Sequence, residues 1–233
     1  YRPLHVLNAA RLAMYFGVES GMSDAHIVQL GIVALLYDLG PFDPELDFIL
    51  EGRKLSSVEF SMVEEISLRG AEVLEGLDGI DPLCATVAHE HHERADGTGY
   101  PSRSKAEDQH PYSRLIQIID SFLGMIEPRA FRPAISPIEA MQRLAVQAHR
   151  GYYYEAAFRD WLKVMGVYPV GSFVKLNSGE VALIRKSGGD KLRRPTVDIL
   201  TDDLLDFRAR PFELDMMDDP DVEIACAVKE FTF

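Results

Sequence analysis

Two adjacent histidines open a run, His91-His92-Glu93-Arg94-Ala95-Asp96-Gly97-Thr98-Gly99-Tyr100-Pro101, that sets metal-binding groups directly against a glycine loop. Neutral imidazole suits a transition metal such as iron, manganese, zinc or nickel. Gly97 and Gly99 permit positive φ and close approach of the main chain to a ligand, and Pro101 fixes the exit. Metal-assisted attack on a phosphoester is the chemistry this order of residues serves. Such a site needs further His and carboxylate ligands converging from other helices, so that a bound water becomes nucleophilic. The candidates are His5, Asp38 and Asp120, alongside His91 and His92. Asp38 ends one apolar run and Asp120 interrupts another, and a buried carboxylate costs roughly several kcal/mol unless a metal, an arginine or a cap offsets it. Arg94 and Arg114 are available for the alternative, pairing with Asp96 or Asp120. The shorter zinc-protease motif does not fit, because its second histidine would fall on Glu93.

The elements that must position these residues follow from periodicity. Apolar residues at three- and four-residue spacing predict a helix from Leu4 to Phe16, with His5 near its start. Ser23 and Asp24 offer a cap for a second helix through Leu39, stopped by Gly40-Pro41. Its centre, Ile32 to Leu36, is apolar almost all round and is expected to be buried. A short helix is expected from Asp43 to Leu50, and Ser56 or Ser57 caps a longer one from about Val58 to Gly76. Asp81-Pro82 opens the helix that carries His89, His91 and His92. A long polar loop, Asp96 to Pro111, precedes a helix from Tyr112 to Met125 that holds Asp120. Ser136-Pro137 opens another helix, and a last one runs from about Tyr154 to Val164.

Beyond Gly166 the pattern becomes β-rich: Ser172 to Leu176, Val181 to Arg185, Thr196 to Leu200 and Val222 to Val228. Asn177-Ser178-Gly179 and Ser187-Gly188-Gly189 punctuate them as turns. The expected fold is mainly α, a helical domain over 1–165 followed by a small antiparallel β appendage over 166–233.

Composition bounds the partners. The net charge of −13 excludes nonspecific nucleic-acid binding, which needs a basic footprint, but leaves room for a small anion held by local arginines. No apolar run reaches membrane-spanning length, so a cytoplasmic location with no membrane partner is expected. Cys84 and Cys226 lie in apolar runs and are expected to be buried free thiols.

From His91 to Pro101 the chain matches HHExxDGxGYP at every specified position, and it resembles the HD-GYP family from His5 to about Thr201. That resemblance implies an HD-type helical bundle acting on cyclic di-GMP or a related cyclic dinucleotide. It implies metal ligation by His5, Asp38, His91, His92 and Asp120, with Asp38 also catalytic, and one or two divalent transition-metal ions. Substrate contacts fall to Tyr100 and to Arg129 and Arg132, in a turn similar to the family's R-x-[YF]-R-P. A diguanylate cyclase domain docking at the Gly-Tyr-Pro loop, and a sensor or receiver domain upstream, are the implied partners.

The departures are as informative. Tyr37 stands where the family has the histidine of its His-Asp doublet, Pro41 where it has a catalytic lysine, and Ile66 where it has a further metal-binding histidine. Tyr1 and Leu123 replace two acidic positions. The expectation is therefore a degenerate HD-GYP domain, a regulatory or interaction module with weak or no hydrolysis and an ion-poor or ion-free centre. The alternative is an active metal-dependent phosphodiesterase with an altered metal centre.

Overall fold

The computed structural model describes residues 2–40, 48, 51, 53–128 and 133–228. Among these, helices come first: α1 (Arg2–Glu19), α2 (Asp24–Leu36), α3 (Ser57–Glu75), α4 (Pro82–Glu90), α5 (Pro111–Ile126), α6 (Pro137–His149) and α7 (Glu155–Met165). Five strands follow: β1 (Phe173–Leu176), β2 (Val181–Lys186), β3 (Thr196–Thr201), β4 (Phe207–Asp215) and β5 (Ile224–Ala227). The chain divides into two compact units, one of residues 1–135 with 144–158, the other of 136–143 with 159–233. The first turns of α6 group with the strands because Ile138 is buried among Val174, Ile184 and Val197.

In the helical unit, capping chemistry sets the helix starts. Ser23 accepts the His26 N–H, Ser56 and Glu59 form a reciprocal capping box, and Asp81 caps α4 ahead of Pro82. Small residues bring α1 and α2 together: Ala9, Ala10 and Ala13 are buried, and a Cβ on Gly17 would stand 3.0 Å from Ile27. Helix α5 is the centre of this unit, with Ile116, Ile118 and Ile119 fully buried.

Several expectations are corrected here. Helix α2 ends at Leu36, with Tyr37 as its C-cap, rather than reaching Leu39. Val33 and Ala34 are buried in its centre, but Ile32 and Leu35 are 45% and 44% exposed, because they point away from α1 and α4, on which α2 packs. Helix α4 stops at Glu90, so His91 is its C-cap and His92 lies in the following turn. Cys84 is buried, whereas Cys226 is exposed on β5. The short helix expected over 43–50 lies, apart from residue 48, outside the described residues.

The second unit is an antiparallel sheet in the order β4-β3-β2-β1-β5. Its first hairpin turns at Asn177-Ser178-Gly179, where Gly179 adopts φ +102° and its N–H bonds to Leu176 O at 3.0 Å. One face buries Val174, Leu176, Ile184, Val197, Ile199 and Met216. Strand β4 escapes a reading by alternation because it is an edge strand, mostly exposed, and contains Pro211. No described helix is long and apolar enough to cross a membrane.

Ile184 has no exposed surface and sits within the sheet core. Ile184→Ala is expected to lower unfolding free energy by about 2–4 kcal/mol in urea titration. A change under about 1 kcal/mol would mean the sheet face is not closely packed.

Candidate functional site

Asp120 is the one carboxylate on α5, and its surroundings define the site. Its Oδ1 lies 3.0 Å from His5 Nε2 and accepts the Tyr37 hydroxyl at 3.1 Å. The other ring nitrogen of His5 meets Glu127 Oε2 at 2.6 Å, and Asn8 Nδ2 donates to Glu127 Oε1 at 2.7 Å. His5 is almost fully buried, flanked by two carboxylates. Burial by itself would lower its pKa, but the hydrogen bonds and charges of Asp120 and Glu127 outweigh it and raise the value above 6.5. Burial likewise opposes ionisation of Asp120, yet the His5 hydrogen bond and the His92, His5 and His91 rings hold its carboxyl well below the usual range. His5 and Asp120 therefore favour an imidazolium–carboxylate pair.

Tyr37 is 1% exposed and turns its ring edge toward His91, centroids 5.0 Å apart. His91 stacks obliquely on His92 at 3.9 Å, and His92 on Tyr100 at 4.8 Å. Phe60 of α3 meets Tyr100 edge-on at 5.9 Å. The Ala88 carbonyl accepts from His91 Nδ1 at 2.8 Å, which fixes the tautomer and leaves Nε2 with its lone pair. That Nε2 is buried and has no hydrogen-bond partner among the described residues. Burial pushes the Tyr100 phenol up, so it stays protonated at neutral pH.

The glycine loop is held from beneath by Glu93. This side chain is fully buried, and its Oε1 accepts the Ser102 N–H at 2.6 Å. Gly99 passes so close that a Cβ would collide with Arg94 N and the Glu93 main chain. Asp96 Oδ1 accepts from Thr98 N and Oγ1, and Gly97 takes φ +78°. The Tyr100-Pro101 bond is cis. Gln109 donates to the carbonyls of Arg94 and Ser104, so the polar loop is ordered by its own main chain.

A family model described as HD domain matches residues 3–157, two thirds of the chain. The chain belongs to the HD-domain family. Among curated relatives, a cyclic di-GMP phosphodiesterase of Pseudomonas aeruginosa is 27% identical over 199 residues, 85% of this chain and 48% of that one. A 3'3'-cGAMP-specific phosphodiesterase of Vibrio cholerae is 27% identical over 59% of this chain and 32% of its own. The chain thus spans about half or less of the length of these relatives. An HDGYP protein from Bdellovibrio bacteriovorus aligns with a TM-score of 0.53 at 18% identity, covering 69% of this chain and 51% of that one, a likeness of fold.

HD-domain phosphodiesterases of this type are generally metal-dependent. Of the residues expected to ligate a metal, the structure brings His5 and Asp120 into direct contact and places His91 and His92 beside them through Tyr37. Asp38 is half-buried in the turn after α2. Among the described residues, no group of three or more His, Cys, Asp or Glu side chains stands in an arrangement that could hold a metal ion. Both ring nitrogens of His5 face carboxylates, and the Tyr37 hydroxyl donates to Asp120. These donors do not fit a two-ion centre, although His91 Nε2 is a donor set for one ligand bond.

Arg129 and Arg132 lie outside the described residues. Arg94 and Arg114 cover Tyr153 and Tyr154 at 5.6 and 4.5 Å, and the partners described for Asp96 and Asp120 are Thr98, His5 and Tyr37 rather than either arginine. Sequence reasoning missed Glu127, Asn8 and Phe60. The spacing held a signal for one of them: Asn8 is three residues after His5 and shares its helix face, whereas Glu127 is the extended cap just beyond α5.

The His5 titration midpoint, followed by NMR, is expected above 6.5 and to fall in Glu127→Gln. The stability that comes from the raised His5 value is fully present below 6.5 and lost as pH rises through the higher folded value, while the Asp120 contribution is lost at acid pH; a His5 midpoint below 6.5 would contradict the geometry. Gly99→Ala should cost at least ~2 kcal/mol in thermal or urea unfolding, since backbone must move to admit the methyl group.

Proposed function

We propose that this chain is a degenerate HD-GYP domain of cyclic di-GMP signalling, a regulatory or interaction module that binds a cyclic dinucleotide with weak or no hydrolysis. The observation that carries the reading is Tyr37: at the position of the HD histidine, its phenol donates to Asp120, a carboxylate that the reaction would need for a metal. A protonated phenol is a poor replacement for neutral imidazole, and an ion at Asp120 would have to compete with the imidazolium of His5. Ile66, buried at a second ligand position, and Pro41 in place of the lysine point the same way.

Ligand binding is supported by what is retained. The His92, Tyr100 and Phe60 rings form a continuous aromatic series beside a preorganised glycine loop, and flat rings suit nucleobases. In this reading Arg129 and Arg132 oppose the phosphates as guanidinium forks, and the loop is also the docking face for a diguanylate cyclase domain. The unmet Nε2 of His91 favours the second reading, an active metal-dependent phosphodiesterase with an altered centre in which His91, His92, Asp38 and Asp120 hold the ion.

Elemental analysis of protein purified without added metal, calorimetry with cyclic di-GMP, and chromatography of the incubated nucleotide decide between them. Binding with well under one ion per chain and no linear dinucleotide or GMP is expected. Tyr37→His combined with Ile66→His should then raise bound metal at least ~10-fold. One or two ions per chain with turnover in the unmodified protein would establish the second reading, and absence of binding would sink the first.

A further inference from the structure

Arg94 is a half-buried guanidinium with no carboxylate partner among the described residues, in a chain where acidic side chains outnumber basic ones by 37 to 24. Arg53, Arg69, Arg143, Arg185 and Arg208 each meet a carboxylate. The one hydrogen bond of the Arg94 side chain runs from Nη1 to the Glu93 carbonyl at 3.1 Å, so Nε and Nη2 have no partner among the described residues. The guanidinium stands over the Tyr153 ring, 5.6 Å from its centroid. The main chain beneath it is fixed, because the Arg94 carbonyl accepts from Gly97 N at 2.9 Å and from Gln109 Nε2 at 3.2 Å. Electrostatics place this group at the site. Burial pushes the Tyr100 and Tyr153 phenols up, and in each the Asp120 carboxylate adds to the rise while Arg94 opposes it. Arg94 and Asp120 therefore act on the same two rings, and Tyr100 also stacks on His92 and meets Phe60. Arg114 lacks a carboxylate partner too, but its charge acts on His110 at the start of α5.

We propose that Arg94 is a phosphate-binding residue of this site, its Nε–Nη2 edge donating to two oxygens of one phosphodiester while the adjoining base stacks on Tyr100. The inference rests on the cyclic-dinucleotide reading above and adds to it the residue that holds the phosphate beside the aromatic rings. A guanidinium withdrawn from water without an opposite charge is costly, and an anion at its open edge offsets that cost. The side edge of the fork matches a pair of phosphate oxygens. A carboxylate would fit the same edge, but the His92, Tyr100 and Phe60 rings select a ligand that carries a flat base next to its anion. Bracing by Tyr153 and the fixed main chain hold the fork before the ligand arrives, so little ordering is left for binding to oppose.

Calorimetry of the 233-residue chain with cyclic di-GMP, at ~50 and ~200 mM salt, tests this. Arg94→Gln is expected to weaken binding at least ~10-fold with an unchanged circular dichroism spectrum, and to flatten the fall of affinity with salt. Were Arg94 only a brace for Tyr153, its loss would lower affinity and leave the salt dependence as it was. Arg94→Lys keeps a point charge without the fork and should retain the salt dependence while losing about 3–10-fold in affinity. An unmodified chain that does not bind removes the cyclic-dinucleotide reading and the role of Arg94 together. Binding that is unchanged in Arg94→Gln, or weakened with its salt dependence intact, overturns the role of Arg94 alone. Should Arg94→Gln fail to fold, Arg94→Lys decides: affinity equal to that of the unmodified chain overturns the proposal, and the expected loss in a folded variant supports it.

Discussion

Asp120 is the constraint around which the helical unit is built. A carboxylate in the middle of a helix whose other residues are mostly buried must be compensated, or it would cost more than the unit can spare. Compensation comes from two other helices: His5 from α1 and Tyr37 from the end of α2. His5 in turn is balanced by Glu127, which Asn8 orients. Three helices are thereby fixed against each other by polar contacts in a region where apolar packing alone would leave their rotation free. The pair of oppositely charged groups also explains why one member cannot be removed cheaply. Loss of His5 would strand two carboxylates near the core.

That same arrangement bears on function. The polar residues at this helix junction bond to one another, with His5 and the Tyr37 phenol both on Asp120. The glycine loop has supports of its own. Glu93 beneath it, the close pass of Gly99 and the Asp96 turn hold its shape without reference to an ion.

Motif order and helical periodicity were legible in the sequence. The HHExxDGxGYP run located the loop, caps at Ser23, Ser56 and Asp81 located helix starts, and turn residues located the first hairpin. Where the reading erred, the cause was a property that one-dimensional patterns do not carry. An all-round apolar helix reads as buried whether its outer face is covered within the chain or not, as Ile32 and Leu35 demonstrate. An edge strand lacks the alternation that one buried face imposes, so the sequence pattern does not reveal β4, and the apolar run around Cys226 of β5 suggests a burial that the structure does not have.

The sequence by itself determined the family and the mainly α architecture with a β-rich end, because each depends on residue identity and local spacing. Tertiary structure alone decided what these residues face. It set His5 between Asp120 and Glu127, turned Tyr37 onto Asp120 and left His91 Nε2 without a partner among the described residues. Contacts across more than a hundred residues of chain follow from how helices pack, and packing sums over every side chain in the interior rather than over any one motif.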